Sequence, residues 1–240
     1  MISLVIPCYN EERYLPCLLD SVDVARRRYE AQGGQLEVLV ADNQSADGTA
    51  RVAAERGCRV VRVEPRNIGA VRNGGARTAR GELMAWVDAD HRIHPDTFVV
   101  VDTLMRNPAI VGGSSGAWLE RWSLGLALTY ATILPFVWLT GFDTGVVFCR
   151  RTDFEGVGGY DERYRVAEDV MFLLALRRLG KRHGQRLVRA RRIKVIASTR
   201  KFDEHGDWHY FGFLLRAPML LLGPAKMDEL AERYWYRPGR

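Results

Sequence analysis

The chain has 240 residues, 47% apolar and 27% charged, which excludes a disordered, collagen-like or disulfide-stapled polypeptide. This length is ordinary for one α/β enzyme domain and buries enough apolar surface to fold without structural metal or disulfides. The formal charge of +6, almost wholly from arginine, admits nucleotide phosphates, nucleic acid or an acidic lipid surface as partners and selects none of them.

The first half alternates strands and helices. Ser3 to Ile6 is a short apolar run ahead of Pro7 and reads as a buried strand that Pro7 stops. Leu15, Leu18, Leu19 and Val22 have helical spacing within a helix predicted from Glu11 to Tyr29. Leu36 to Ala41 is the next strand. Ser45 to Gly48 supplies a turn before a helix running through Glu55, with Asp47 or Ser45 expected to cap it. Cys58 to Val63 is a third strand, Asn67 to Arg80 a Gly-punctuated helix, and Glu82 to Val87 a fourth strand running into Asp88-Ala89-Asp90. This spacing implies βαβ units and a largely parallel sheet.

The second half is less regular. A helix is expected over Pro95 to Met105, an extended Gly- and Ser-rich segment over Ile110 to Trp118, and a strand over Val146 to Cys149. An amphipathic helix follows over Ala167 to Leu179. Ser123 to Phe142 is an apolar stretch of 20 residues interrupted by Pro135, long enough by count to span a bilayer. A buried helix is expected there, with a membrane-surface contact as the alternative; Tyr210 to Leu222 is a second very apolar segment. Trp118, Trp122, Trp138, Trp208 and Tyr210 beside basic residues have the composition of an interfacial anchor. Between Arg177 and Lys201 stand eleven Lys or Arg and no acid, a solvated basic face, a phosphate-closing segment or an anionic-membrane surface. No repeat or linker is visible. One domain is expected over 1–240, in three parts: 1–90, 91–200 and a C-terminal helical elaboration (201–240).

Cys8, Cys17, Cys58 and Cys149 form no C-x-x-C pair and read as reduced, buried thiols of a cytosolic protein rather than a zinc site or a disulfide framework. The opening residues lack a basic leader, so no signal peptide is expected.

Ligands of parallel sheets bind beyond the carboxyl ends of the strands, and Asp42, Asp88 and Asp90 all stand at predicted strand ends. Two carboxylates at i and i+2 past a buried strand suit a hard divalent cation that keeps positions open for substrate phosphates. In Asn67-Ile68-Gly69-Ala70-Val71-Arg72 the glycine permits close backbone approach, and Arg72 can neutralise a diphosphate. Glu168-Asp169 opens a helix, where carboxylates also favour the helix dipole. His91 reads as a polar loop histidine, with a metal contact as the other option.

Val5-Ile6-Pro7-Cys8-Tyr9-Asn10-Glu11-Glu12, Asp42, Asn67-x-Gly69, Ala70-Val71-Arg72-Asn73, Gly81-Glu82, Asp88-Ala89-Asp90, Gly158-Gly159-Tyr160-Asp161-Glu162 and Glu168-Asp169 occur in order over residues 2 to 180. This ordered set resembles the family 2 glycosyltransferases, inverting enzymes with a Rossmann-like nucleotide-diphosphosugar transferase (GT-A type) fold.

The resemblance implies a mostly parallel sheet flanked by helices, a Mn²⁺ or Mg²⁺ cofactor, and sugar transfer from a nucleotide-diphosphate donor to a hydroxyl of a small molecule, glycan or lipid-linked acceptor. Residues 1–90 would be the nucleotide-sugar-binding half and 91–200 the acceptor-side half. Nucleic acid is not an expected partner; a cytoplasmic location is expected, with peripheral contact at the inner face of a membrane as an option. Pro7, Tyr9, Glu11, Asp42, Asn67, Gly69, Arg72, Asp88 and Ala89 would bind the nucleotide sugar, with Arg72 near the diphosphate. Asp90 and Asp88 would hold the metal, and Asp169 would be the base. Gly159, Glu168, Arg200 and His205 would lie on the acceptor or phosphate-closing side. The Gln-x-x-Arg-Trp pattern of processive members is absent. Its nearest substitute is Ser198-Thr199-Arg200-Lys201-Phe202 with His205 and His209, so a non-processive enzyme is expected. The alternatives are a catalytically silent nucleotide-sugar-binding module and a sugar-phosphate nucleotidyltransferase. The latter would carry a basic, glycine-rich loop where this chain has Cys8 to Glu12.

Overall fold

Ile2 to Cys8 form strand β1, buried along its whole length, as expected of a central parallel strand covered on both faces. It pairs in parallel with β2 (Leu36–Asp42) on one side and β4 (Leu83–Trp86) on the other, and β2 pairs in parallel with β3 (Arg59–Arg62). The connections are α1 (Leu15–Glu30), α2 (Thr49–Glu55) and α3 (Ile68–Thr78). Their apolar stripes pack on the sheet, α1 through Leu15, Leu18, Leu19 and Val22.

Pro7 does not stop β1. The β4 pairing ends at Val5↔Trp86, and beyond it only β2 accompanies the strand. A missing N–H is tolerated where one flank carries no ladder.

Beyond β4 the sheet continues with antiparallel strands. The order is β3-β2-β1-β4-β7-β6-β8-β5, with β5 (His91–Arg92), β6 (Ile110–Leu119), β7 (Val147–Arg150) and β8 (Arg186–Ala197). Strand β7 pairs antiparallel with β4 and β6, and β5 with β8. The outer helices are α4 (Thr97–Met105), α6 (Arg151–Val157) and α7 (Glu168–Arg182). The basic segment is therefore in large part a strand: β8 turns Ala190, Ile193 and Val195 inward and leaves Arg186, Arg191 and Arg192 exposed. Helix α6 had no sequence expectation either.

This computed structural model describes residues 1–140, 142–143, 145–165 and 167–208, without the side chains of 133, 136–140, 201 and 205. His209 and the Tyr210 to Leu222 segment lie outside the described residues, as do the side chains of Trp138 and His205. The chain divides into two compact units, one of residues 1–118 with 142–197, the other of 119–141 with the chain from 198 onward. In the second unit α5 (Leu124–Thr140) runs through Pro135, and Ser123 Oγ accepts the Leu126 N–H at 3.3 Å. Helix α5 is buried at Leu126 and Thr129, whereas Leu124 is 71% exposed and Leu128 is exposed too. The expectation of a buried helix thus holds for one face. Arg121 binds Asp203 at 2.7 Å and Asp207 at 2.6 Å, tying the start of this segment to α8 (Arg200–His205) and the turn after it. All four cysteines are free thiols; only Cys17 is exposed.

Candidate active site

The parallel strands all end on one edge of the sheet, with Cys8 and Asp42 level across the β1/β2 register. The turns leaving that edge are tightly held. The N-cap of α2 is Gly48, and Asp47 just before it accepts the first helical N–H, of Thr49, at 3.0 Å and the Glu12 N–H at 3.1 Å. Asn10 and Gln44 adopt left-handed backbone at φ 53° and 59°, a conformation open to few residues other than glycine. Asn43 Nδ2 donates to Val63 O at 2.8 Å and Pro65 O at 2.9 Å, fixing the loop after β3. That loop places the Arg66 guanidinium over the exposed Tyr9 ring, 5.4 Å from its centroid. Pro7 lies within β1, Glu11 is buried with its N–H on Thr49 Oγ1 at 2.8 Å, and buried Asp42 accepts the Ser45 N–H at 3.3 Å.

Asn67 caps α3, accepting the Ala70 N–H at 3.0 Å, and its amide donates to Glu162 O at 2.8 Å. Gly69 is buried in the first turn. One turn further, Arg72 is only 4% exposed. Its Nη2 donates to Asp88 Oδ1 at 2.7 Å and its Nη1 to Glu168 Oε1 at 2.9 Å, and Nη1 also touches Asp169 Oδ1. That Asp169 oxygen is buried and has no hydrogen-bond partner among the described residues. Burial alone would lower the proton affinity of Arg72; Asp88 and Glu168 outweigh it and hold the guanidinium above its usual range. The resemblance implies a diphosphate contact for Arg72, whereas its terminal nitrogens here serve three carboxylates.

Aromatic rings lie next to this cluster. The Arg72 guanidinium stands over Tyr160 at 5.2 Å, and Tyr160 stacks on Phe172 at 4.2 Å and meets Trp86 edge-on at 5.4 Å. Burial pushes the Tyr160 hydroxyl well up, so it stays neutral. Charges beside such an apolar wall interact more strongly than in water.

Asp90 and His91 follow Asp88 and the buried Ala89, with His91 Nε2 3.8 Å from Asp90 Oδ1. No group of three or more His, Cys, Asp or Glu converges to hold a metal among the described residues. What the loop offers is Asp90 and the half-exposed Asp88. That donor set fits Mg²⁺ or Mn²⁺, which bind through one or two carboxylates and complete their shell with water and substrate phosphate. The cavities of about 390 and 190 Å³ lie away from this loop, lined respectively by residues such as Gln32–Gln35 with Asp102, and Val157 with Met171.

The structure thus joins Arg72, Asp88, Glu168 and Asp169, drawn from three separate segments. Arg200 and His205 belong to α8 of the second unit. Gly159 serves packing: its φ is +76°, and a Cβ there would stand 2.6 Å from Asn73 Oδ1, the oxygen that accepts the Tyr160 N–H at 2.8 Å. Gly159→Ala should destabilise the fold by about 2 kcal/mol or more, measured by urea unfolding. An unchanged midpoint would contradict this account.

The family model for glycosyl transferase family 2 matches residues 3–123, just over half of the chain. The chain belongs to this family. Among relatives, dolichyl-phosphate beta-glucosyltransferase ALG5D of Trichomonas vaginalis is 34% identical over 127 residues, 47% of this chain and 39% of that protein. The mannosyltransferase PcManGT of Pyrobaculum calidifontis, solved with GDP-Man and Mn²⁺, superposes with a TM-score of 0.66 at 18% identity, covering 90% of this chain and 64% of that one. Glucosyl-3-phosphoglycerate synthase of Mycobacterium tuberculosis, solved with Mn²⁺, UDP and glucosyl-3-phosphoglycerate, gives a TM-score of 0.59 at 22% identity, covering 86% of this chain and 75% of that one. These likenesses show the GT-A fold. The chain spans between about a quarter and two-fifths of the curated relatives it matches, from 27% to 39% of their length.

Proposed function

We propose that the chain transfers a sugar, with inversion and one unit at a time, from a nucleotide-diphosphate donor to an acceptor hydroxyl. The observation that carries this reading is the convergence of Asp88, Glu168 and Asp169 on buried Arg72 at the carboxyl edge of the parallel strands, in a chain of this family. Pro7, Tyr9, Glu11 and Asp42 would bind the nucleoside, Asp42 taking N–H groups of the base and Tyr9 offering a ring face. Asn67, Gly69 and Ala89 would shape the donor side, and Asp90 with Asp88 would hold Mn²⁺ or Mg²⁺. A bound cation would supply positive charge to the departing diphosphate. Asp169 would take the proton of the acceptor hydroxyl as its oxygen bonds to the anomeric carbon and the bond to the diphosphate oxygen breaks.

Support for the donor class comes from the nucleotides held by structural neighbours, UDP in one and GDP-Man in another. The test is thermal unfolding of the chain with UDP- and GDP-sugars, with and without Mn²⁺. A ligand at about 100 times its dissociation constant stabilises a fold by roughly 2.7 kcal/mol, and a true donor should do so only with the metal. Release of free nucleotide diphosphate on adding acceptor separates a transferase from a silent binding module. A chain that no nucleotide-sugar stabilises would sink the proposal.

An acceptor at a lipid surface is the second element. In the first unit Trp118 is half exposed beside the Lys194 ammonium, 3.9 Å from its ring centroid, and β8 exposes Arg191 and Arg192. In the second unit Trp122, Leu124, Leu128 and Trp208 are exposed. Exposed tryptophan with basic side chains suits the interface of an anionic bilayer, and the ALG5D relative is named for a dolichyl-phosphate. Among the described residues no helix is long and apolar enough to cross a membrane. The chain should float with anionic liposomes at low salt and be released at high salt. Absence of co-flotation at low salt would retire the lipid surface.

A further inference from the structure

We propose that Arg72 is a positioning residue, locking the start of α7, which carries Asp169, onto Asp88 of the donor loop. The inference rests on the transferase reading above and concerns a contact made 96 and 97 residues along the chain from Arg72. Three observations carry it. The guanidinium is engaged at both ends, one nitrogen on Asp88 and the other on Glu168 and Asp169. The helix it holds begins after Ala167 at φ 61° with no side-chain cap, so α7 is not anchored at its start by the local bonds that usually define a helix start. Tyr160, stacked on Phe172 of α7, lies against the guanidinium plane and leaves it little room to swing.

A phosphate-binding role fits these facts less well. A phosphate would meet a nearly fully buried arginine already surrounded by three carboxylates, and like charges at that range repel. A planar fork can serve two separated carboxylate groups at once, whereas a lysine ammonium is a single point charge. Removing the fork should therefore let Asp169 drift from the acceptor hydroxyl, and a displacement near 1 Å costs about 10²-fold in rate.

The experiment uses the full chain with UDP, UMP, GDP and GMP as probes in Mn²⁺, and steady-state turnover on the donor those probes select. For Arg72→Lys, affinity for the nucleoside diphosphate and donor KM should stay within about threefold of wild type while kcat falls about 10²-fold. Glu168→Gln, which weakens one arm, should move kcat in the same direction by a smaller factor. Combined with Asp169→Asn, Arg72→Lys should cause less than about threefold further loss, because the two changes remove the same function. Amide exchange over residues 168–172 should quicken in Arg72→Lys while that of β1 stays as in wild type. Loss of affinity for diphosphates but not monophosphates would make Arg72 a phosphate ligand and overturn the inference. So would full additivity with Asp169→Asn, or unchanged exchange at α7. Wild type binding none of the four nucleotides would remove the transferase reading and this inference with it, an outcome visible before any variant is made.

Discussion

Asp169→Asn is expected to lower turnover by about 10²- to 10⁴-fold while nucleotide affinity and thermal stability change little. Asparagine keeps the shape and reach of the side chain but cannot accept the acceptor proton. The competing role, a carboxylate at a helix start that only satisfies free N–H groups, predicts the opposite outcome, because asparagine caps about as well as aspartate. We propose catalysis, since the residue at the cap of α7 is Ala167 and Asp169 Oδ1 pairs with the Arg72 guanidinium rather than with the helix start. Turnover within about threefold of wild type would show that the base lies elsewhere. Glu168 would then be the first alternative, since Asp161 is turned to Arg163, whose guanidinium holds its carboxyl below the usual range.

The second large effect is expected at Asp90. Asp90→Ala should leave the chain folded, because the residue sits in the short turn between β4 and β5, and should abolish Mn²⁺-dependent nucleotide binding. With donor at about 100 times the wild-type dissociation constant, the roughly 2.7 kcal/mol of metal-dependent stabilisation should vanish. Asp88 cannot replace it in full, since one of its oxygens is bonded to Arg72. Calorimetric titration of Mn²⁺ and UDP or GDP, repeated with chelator, measures this directly. Equal affinity in variant and wild type, with and without chelator, would remove the metal from the donor site.

Much of the fold of residues 1–90 was legible in the sequence. Strands β1, β2 and β4 are short runs dominated by apolar residues, and α1 shows a clear 3.6-residue spacing; both periods report burial that is local in the chain. The same holds for the turn in which Asp47 binds the Thr49 N–H, a bond that spans two residues. That Asp42 and Asp88 stand at strand ends followed from where the apolar runs stop.

Tertiary structure alone decided the rest. Strand β8 was hidden because its exposed face is arginine, so its alternation read as charge rather than as a strand. The continuation of β1 through Pro7 depends on which neighbour has already ended, a fact about pairing and not about proline. The partners of Arg72 lie 16, 96 and 97 residues away. An arginine on a helix carries no local mark of whether it will meet a phosphate or a carboxylate. Residue spacing could bring Asp88 and Asp169 into one list of candidates, but only the packing of α3 and α7 beside β4 puts both on one buried guanidinium, because charge pairing acts through space and not along the chain.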